Sequence, residues 1–115
     1  MAQKNDRPIE YRNDKAREVV RESMAAFIEA ESNRQSMITV TNVDPSPDFK
    51  SATIFVTVFP EHTETAALDF LRRQRSEARN YLKKHTRLAR IPFLDFALDQ
   101  GEKARQRLDD ISRSL

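Results

Sequence analysis

Five basic residues at helical spacing are the first feature of this sequence that could do chemistry. Arg75, Arg79, Lys83, Arg87 and Arg90 follow one another at intervals of four, four, four and three residues. On a helix those intervals set side chains along one stripe. Like charges so placed repel by roughly 0.2–0.5 kcal/mol per pair, and Glu77 is the single acid nearby to relieve them. A phosphate backbone would relieve them better than water does. RNA contact is therefore weighed against a merely solvated basic face, with Arg72, Arg73 and Lys84 flanking the stripe and joining it. The stripe is expected to contribute little to the core, since it lies opposite Ala78, Leu82 and His85.

Charge along the chain favours the RNA reading. The segment Leu71 to Arg90 carries eight basic residues and one acid, a net +7, whereas the whole chain of 115 residues carries only +2. The remainder is therefore at −5. A basic segment in an otherwise acidic domain marks a localised polyanion contact rather than general solubility.

The remaining polar groups give an enzyme little to work with. There is no cysteine, which excludes a disulfide framework, thiolate zinc and a thiol nucleophile. With Gly101 as the one glycine, neither a P-loop nor a dinucleotide fingerprint can be written. His62 and His85 lack the spacing of a paired metal motif. They read as a surface histidine and a packed one. Asp95 with Asp99, and Asp109 with Asp110, read as solvated carboxylates on a strand and a helix rather than an acid/base pair. No catalytic residue, metal site or cofactor is expected. Aromatic platforms for bases are also thin, because Phe55 and Phe59, on the less apolar face of a strand, are expected to be covered by helices.

These residues need elements to position them. Residues 1–10 are polar and read as a flexible leader whose Lys4 and Arg7 could touch phosphate, leaving 11–115 as one domain. Asn13 is a candidate cap for a helix over Asp14 to Ala30, with Ala16, Val19, Val20, Met24, Phe27 and Ile28 on its apolar face. Met37 to Val43 alternates as a strand, and Asp44-Pro45-Ser46-Pro47-Asp48 is a turn that cannot continue a ladder. Ala52, Ile54, Val56 and Val58 share one face of a second strand, which Pro60 ends.

Thr63 is a candidate cap for a helix through Ala67, Leu68 and Leu71. The apolar pattern then lapses over Arg72 to Glu77 and resumes at Ala78, Tyr81, Leu82, His85 and Leu88. A break near Gln74-Arg75-Ser76 is predicted, with Ser76 capping a second helix that runs to Ala89. Pro92 precedes a third strand carrying Leu94, Phe96 and Leu98, and Gly101 leads into a short terminal helix with Ala104, Leu108, Ile111 and Leu115. The order α-β-β-α-α-β-α predicts an α+β fold in which helices pack on one face of a three-stranded sheet.

Two stretches carry a family resemblance. Ser46-Pro47-Asp48-Phe49-Lys50-Ser51-Ala52-Thr53-Ile54-Phe55-Val56-Thr57-Val58 resembles the S-x-D-L/F…A-x-V-x-V-S-V run of ribosome-binding factor A. Arg79, Leu82, Arg87-Leu88, Pro92, Leu94, Phe96 and Asp99 match that family's helix-to-last-strand pattern, and the likeness spans about Arg7 to Ile111. The resemblance implies a KH-like fold of type II order with a kink between two helices, where the family carries Ala-x-Gly. Aligned through Leu71, Arg79 and Leu82, that kink falls on Gln74-Arg75-Ser76, and neither Ala nor Gly is kept.

The resemblance also implies a function. It points to a cytoplasmic, non-catalytic assembly factor, monomeric when free, that docks on the immature small ribosomal subunit and its rRNA. The RNA-binding set is then Arg72, Arg73, Arg75, Ser76, Arg79, Lys83, Lys84, Arg87 and Arg90. Competing readings are a ribosomal protein that stays bound, and a protein-interaction domain that pairs through an open sheet edge.

Overall fold

In the computed structural model, residues 9–31 and 35–114 are described. The expected leader lies outside them, apart from Ile9 and Glu10, which are helical. Helix α1 (Ile9–Glu31) thus starts ahead of Asp14, and Asn13 is inside it rather than at its cap. The apolar face alone could not reveal this extra length, because the buried anchors Val20, Met24, Phe27 and Ile28 all lie in the second half. Ion pairs of Arg17 with Asp14 and of Arg21 with Glu18, each three residues apart, decorate its solvent side.

Strand β1 (Met37–Pro45) pairs antiparallel with β2 (Ser51–Phe59), which pairs in parallel with β3 (Phe93–Leu98), so β2 is central. Val40 sits opposite Val56 and Asn42 opposite Phe55, leaving Thr41 as a bulge. One expectation fails here. Asp44 and Pro45 do continue the ladder, opposite Thr53 and Ala52. Because β1 is an edge strand, proline's missing amide costs no ladder bond there. The turn that follows is closed by the Ser46 amide donating to Ser51 O at 2.8 Å and the Ser46 hydroxyl to Asp48 Oδ1 at 2.8 Å. Within it Phe49 adopts φ 59°, and burial of its ring offsets that left-handed backbone.

After a 3-10 turn at Glu61–Thr63 come α2 (Glu64–Arg73) and α3 (Arg75–His85). Thr63 does stand at the start of α2, but its hydroxyl donates backwards to Pro60 O at 2.7 Å and caps nothing in the helix. The break is present and occupies a single residue. Gln74 (φ −93°, ψ 10°) ends α2, donating its amide to Phe70 O and Leu71 O at 3.2 and 3.0 Å, while its carbonyl accepts from the Ala78 amide at 2.8 Å to open α3. Ser76 is therefore not the cap. It is the second residue of α3, already helical and exposed.

Helix α3 also ends earlier than Ala89. Thr86 is extended, and both its amide and its hydroxyl donate to Leu82 O, at 3.1 and 2.6 Å, which closes the last turn at His85. Finally α4 (Gln100–Ser114) follows β3 at once, so Gly101 lies within its first turn instead of leading into it. The Asp99 carboxylate opens α4 by accepting the Glu102 amide at 2.9 Å.

Helices α1, α2 and α3 cover one face of the sheet. The core beneath them joins Val20, Met24, Phe27 and Ile28 to Ile54, Val56, Leu71, Ala78, Leu82 and Phe96. Burying each large apolar side chain of this set contributes about 1.5–3 kcal/mol relative to exposure. The opposite face carries Thr57, Phe55 and Phe59 from β2 and Phe93 and Asp95 from β3. Phe59 is exposed rather than covered by a helix as expected, and Phe55 is half-buried. The architecture is the α+β, type II KH-like order that the sequence predicted.

Candidate nucleic-acid interface

The predicted basic stripe divides into two groups of residues with different tasks. Three arginines from α2 and α3 reach the free edge of β3. Arg72 donates through Nη2 to Phe96 O at 2.9 Å, and its Nε lies 3.5 Å from Asp95 Oδ1. Arg79 donates through Nε to Pro92 O at 3.0 Å and through Nη2 to Ile91 O at 2.8 Å. Between them, Arg75 pairs with Asp95 Oδ1 at 3.6 Å and donates through Nε to Arg72 O at 3.0 Å. Asp95 in turn accepts the Phe96 amide at 2.8 Å.

Edge strands expose unpaired backbone groups. Here a carboxylate takes an amide, and guanidinium groups take carbonyls. Arg72 and Arg79 therefore tie α2 and α3 to β3 and the segment just before it, a larger structural part than the little that was expected of these residues. An arginine suits this task because its planar fork presents several donors at once and keeps its charge.

The second group is unengaged. Arg73 on α2, Lys83 and Lys84 on α3, and Arg87 in the following loop are exposed and have no ion-pair or hydrogen-bond partner among the described residues. Arg87 and Arg90 lie beyond the end of α3, so the predicted helical stripe stops at Lys83. Arg90 makes one long contact, from Nη1 to Asp48 O at 3.4 Å. His85 is exposed, not packed. Its ring stacks on Tyr81 at 4.0 Å between centroids, with Nδ1 3.1 Å from Tyr81 O, and Tyr81 meets Phe27 edge-on at 5.6 Å.

Sequence reasoning passed over one feature of this surface. Phe93, the first residue of β3, is 67% exposed, and the Arg79 guanidinium carbon lies 4.2 Å from its ring centroid. That distance is a cation–π contact. Beside it is a concavity of about 460 Å³ lined by Arg75, Ser76, Arg79, Asn80, Phe93 and Leu94. The signal was legible, since Phe93 holds the same strand parity as the solvated Asp95. Among the described residues no group of three or more His, Asp or Glu side chains could hold a metal ion. None of their helices is long and apolar enough to cross a membrane.

The profile of the ribosome-binding factor A family matches residues 12–112, nearly the whole chain. The chain belongs to the ribosome-binding factor A family. A ribosome-binding factor A from Thermomicrobium roseum is 31% identical over 108 residues, covering 91% of this chain and 84% of that relative. The crystal structure of ribosome-binding factor A from Thermus thermophilus superposes with a TM-score of 0.67 at 26% identity, covering 74% of this chain and 92% of that one. Thermus thermophilus RbfA coordinates fitted into a cryo-EM map of a 30S–RbfA complex superpose with a TM-score of 0.61 at 25% identity, covering 71% of this chain and 89% of that one. Family membership gives the type II order and the helix–kink–helix a common origin with those proteins. In this member of the ribosome-binding factor A family the kink is made at Gln74 without the glycine of the family motif.

Proposed function

We propose that this protein is an assembly factor that binds the immature small ribosomal subunit through its rRNA and assists maturation without catalysing a reaction. The observation that carries the reading is membership of a family with a Thermus thermophilus member fitted into a 30S complex. The protein acts in the cytoplasm as a monomer when free, and needs no nucleotide or metal. Its docking surface is the unengaged basic group Arg73, Lys83, Lys84 and Arg87, extended by Arg75, Ser76 and Arg90. Arg72 and Arg79 support that surface from behind.

Exposed, unpartnered cations supply affinity through phosphate contacts and counterion release. The reading of a sheet-edge interaction domain is disfavoured at β3, where the Phe96 carbonyl and, just ahead of the strand, those of Ile91 and Pro92 are taken by arginine side chains. The test is affinity purification of the tagged protein with sequencing of the RNA that accompanies it. Precursor small-subunit RNA should be enriched, and sucrose gradients should place the protein on immature particles rather than mature ribosomes. Occupancy of mature ribosomes would instead make it a resident ribosomal protein.

A further inference from the structure

We infer that the free edge of β1 and the groove between it and α1 bind an extended peptide segment of a partner protein, one that alternates apolar with basic residues and adds to the sheet as a further strand. The surface lies at the sheet edge remote from β3, so the inference stands apart from the RNA-binding reading above.

The two edges of the sheet are finished differently. Along β3 the Arg72 guanidinium takes the Phe96 carbonyl and the Asp95 carboxylate takes the Phe96 amide. Strand β1 is paired on its inner side alone, with β2. Met37 to Val40 run in unbroken register opposite Phe59 to Val56, ahead of the bulge at Thr41, and every second residue of such a strand turns its amide and carbonyl outward. Those outward groups have no partner among the described residues. An added strand would satisfy them.

The groove makes room for the side chains of that strand. A concavity of about 930 Å³ opens between the edge and α1, walled by Ala25, Ile28 and Glu29 on the helix and by Met37 to Val40 on β1. Successive side chains of an added strand would point to opposite faces of the sheet. On the helical side they would meet Ala25, Ile28 and Ile38. On the open side they would meet Met37, which is 70% exposed and stands opposite Phe59, itself 71% exposed. Apolar surface of that kind is stabilised only when something covers it.

Charge selects the occupant. The segment Glu22 to Glu31 holds three acids and no base, and α1 has no basic residue in its last turn. Acids near a helix C-terminus oppose the helix dipole, so they do nothing for α1 itself. Glu22 and Glu29 are two turns apart on one side of the helix. Glu29 is exposed and has no ion-pair partner among the described residues, whereas the Arg21 charge on the same wall is already paired with Glu18. Such a rim repels a phosphate backbone and attracts a cationic peptide.

The test uses the full chain and three end-capped peptides of equal length: an alternating valine–lysine strand, its valine–glutamate counterpart, and the valine–lysine strand with every amide N-methylated. The first should bind and raise the protection of the β1 amides against exchange, while the other two should fail to half-saturate the protein by about 1 mM. Glu22→Lys combined with Glu29→Lys should weaken the valine–lysine peptide by roughly 2- to 30-fold, the loss of two exposed ion pairs, and let the valine–glutamate peptide bind. Lysine suits the end of a helix better than glutamate does, and a thermal melt matching the unmodified protein excludes unfolding as the cause. If the valine–lysine peptide binds no better than either of the others, or binds without protecting β1, the edge site is wrong. A dimer in sedimentation whose β1 amides are protected without peptide would give the edge to a second copy of this chain and overturn the inference equally. None of these outcomes involves the cations of α3, so RNA binding stands or falls separately.

Discussion

The Thr41 hydroxyl donates to Asp99 Oδ2 at 2.5 Å, which joins the bulge of β1 to the residue that opens α4. The bulge makes this possible. With Thr41 outside the pairing register, its side chain is free to reach past β2, where it also contacts Phe55 O at 3.3 Å. The Thr41 hydroxyl, followed by the Glu102 amide, holds the Asp99 carboxyl below its ordinary value. A carboxyl with a depressed folded-state pKa contributes stability above its unfolded value of about 3.9, and that contribution is lost as pH falls through the folded value. The start of α4 should therefore loosen in acid below about pH 4. The protection of the Glu102 amide against exchange, taken relative to its intrinsic rate at each pH, should fall there in the unmodified protein, and Asp99→Asn should show reduced protection already at neutral pH.

The free cations should carry affinity without carrying the fold. Replacing Lys83, Lys84 and Arg87 together by Glu should abolish association with small subunits. The melting temperature should hardly move, because exposed substitutions stay within about 0.5 kcal/mol each. A triple variant that melts normally and still associates would remove this surface from consideration.

Arg79 behaves oppositely. Arg79→Met keeps the stem but leaves the carbonyls of Ile91 and Pro92 without their donor, and should cost about 1.5–3 kcal/mol, the value of hydrogen bonds to a charged group. Urea denaturation at neutral pH measures it. A cost near zero would mean that water replaces the guanidinium freely.

Leu82 is fully buried under the sheet, so Leu82→Ala should cost about 2–5 kcal/mol. Binding to subunits should fall only in proportion to the folded fraction.

Affinity for small-subunit RNA should fall steeply with salt. With three to five phosphates neutralised, the log–log slope should be roughly −3 to −5 on the counterion-release rule for duplex nucleic acid. Charge reversal at Lys83, Lys84 and Arg87 should flatten it, and a titration that is flat in the unmodified protein would contradict phosphate-driven docking.

The sheet was legible in the sequence because alternation is a local signal. Ala52, Ile54, Val56 and Val58 point one way whatever surrounds them, and all four are buried. The lapse in apolar periodicity after Leu71 likewise located the kink to within a residue. What stayed hidden depends on partners far along the chain. Nothing near Arg79 announces that its guanidinium will take carbonyls 12 and 13 residues away, so a stripe of like charges looked uniform when half of it was engaged. Helix ends were hidden for a related reason. A threonine that turns its hydroxyl back on Leu82 stops α3, yet Thr86 could as readily have continued a helical pattern that Leu88 extends in sequence. Phe93 was passed over although its strand parity, opposite that of Leu94 and Phe96, argued for the open face on which it is exposed.

The bend at Gln74 bears on how such proteins can drift in sequence. Its dihedral angles fall in a region open to every L-residue except proline, and the turn is held by main-chain amides and carbonyls of Phe70, Leu71, Gln74 and Ala78. No side chain is required for the change of direction. A bend written in the backbone places no demand on residue type at Gln74 beyond excluding proline, so glycine is not needed there for the chain to turn.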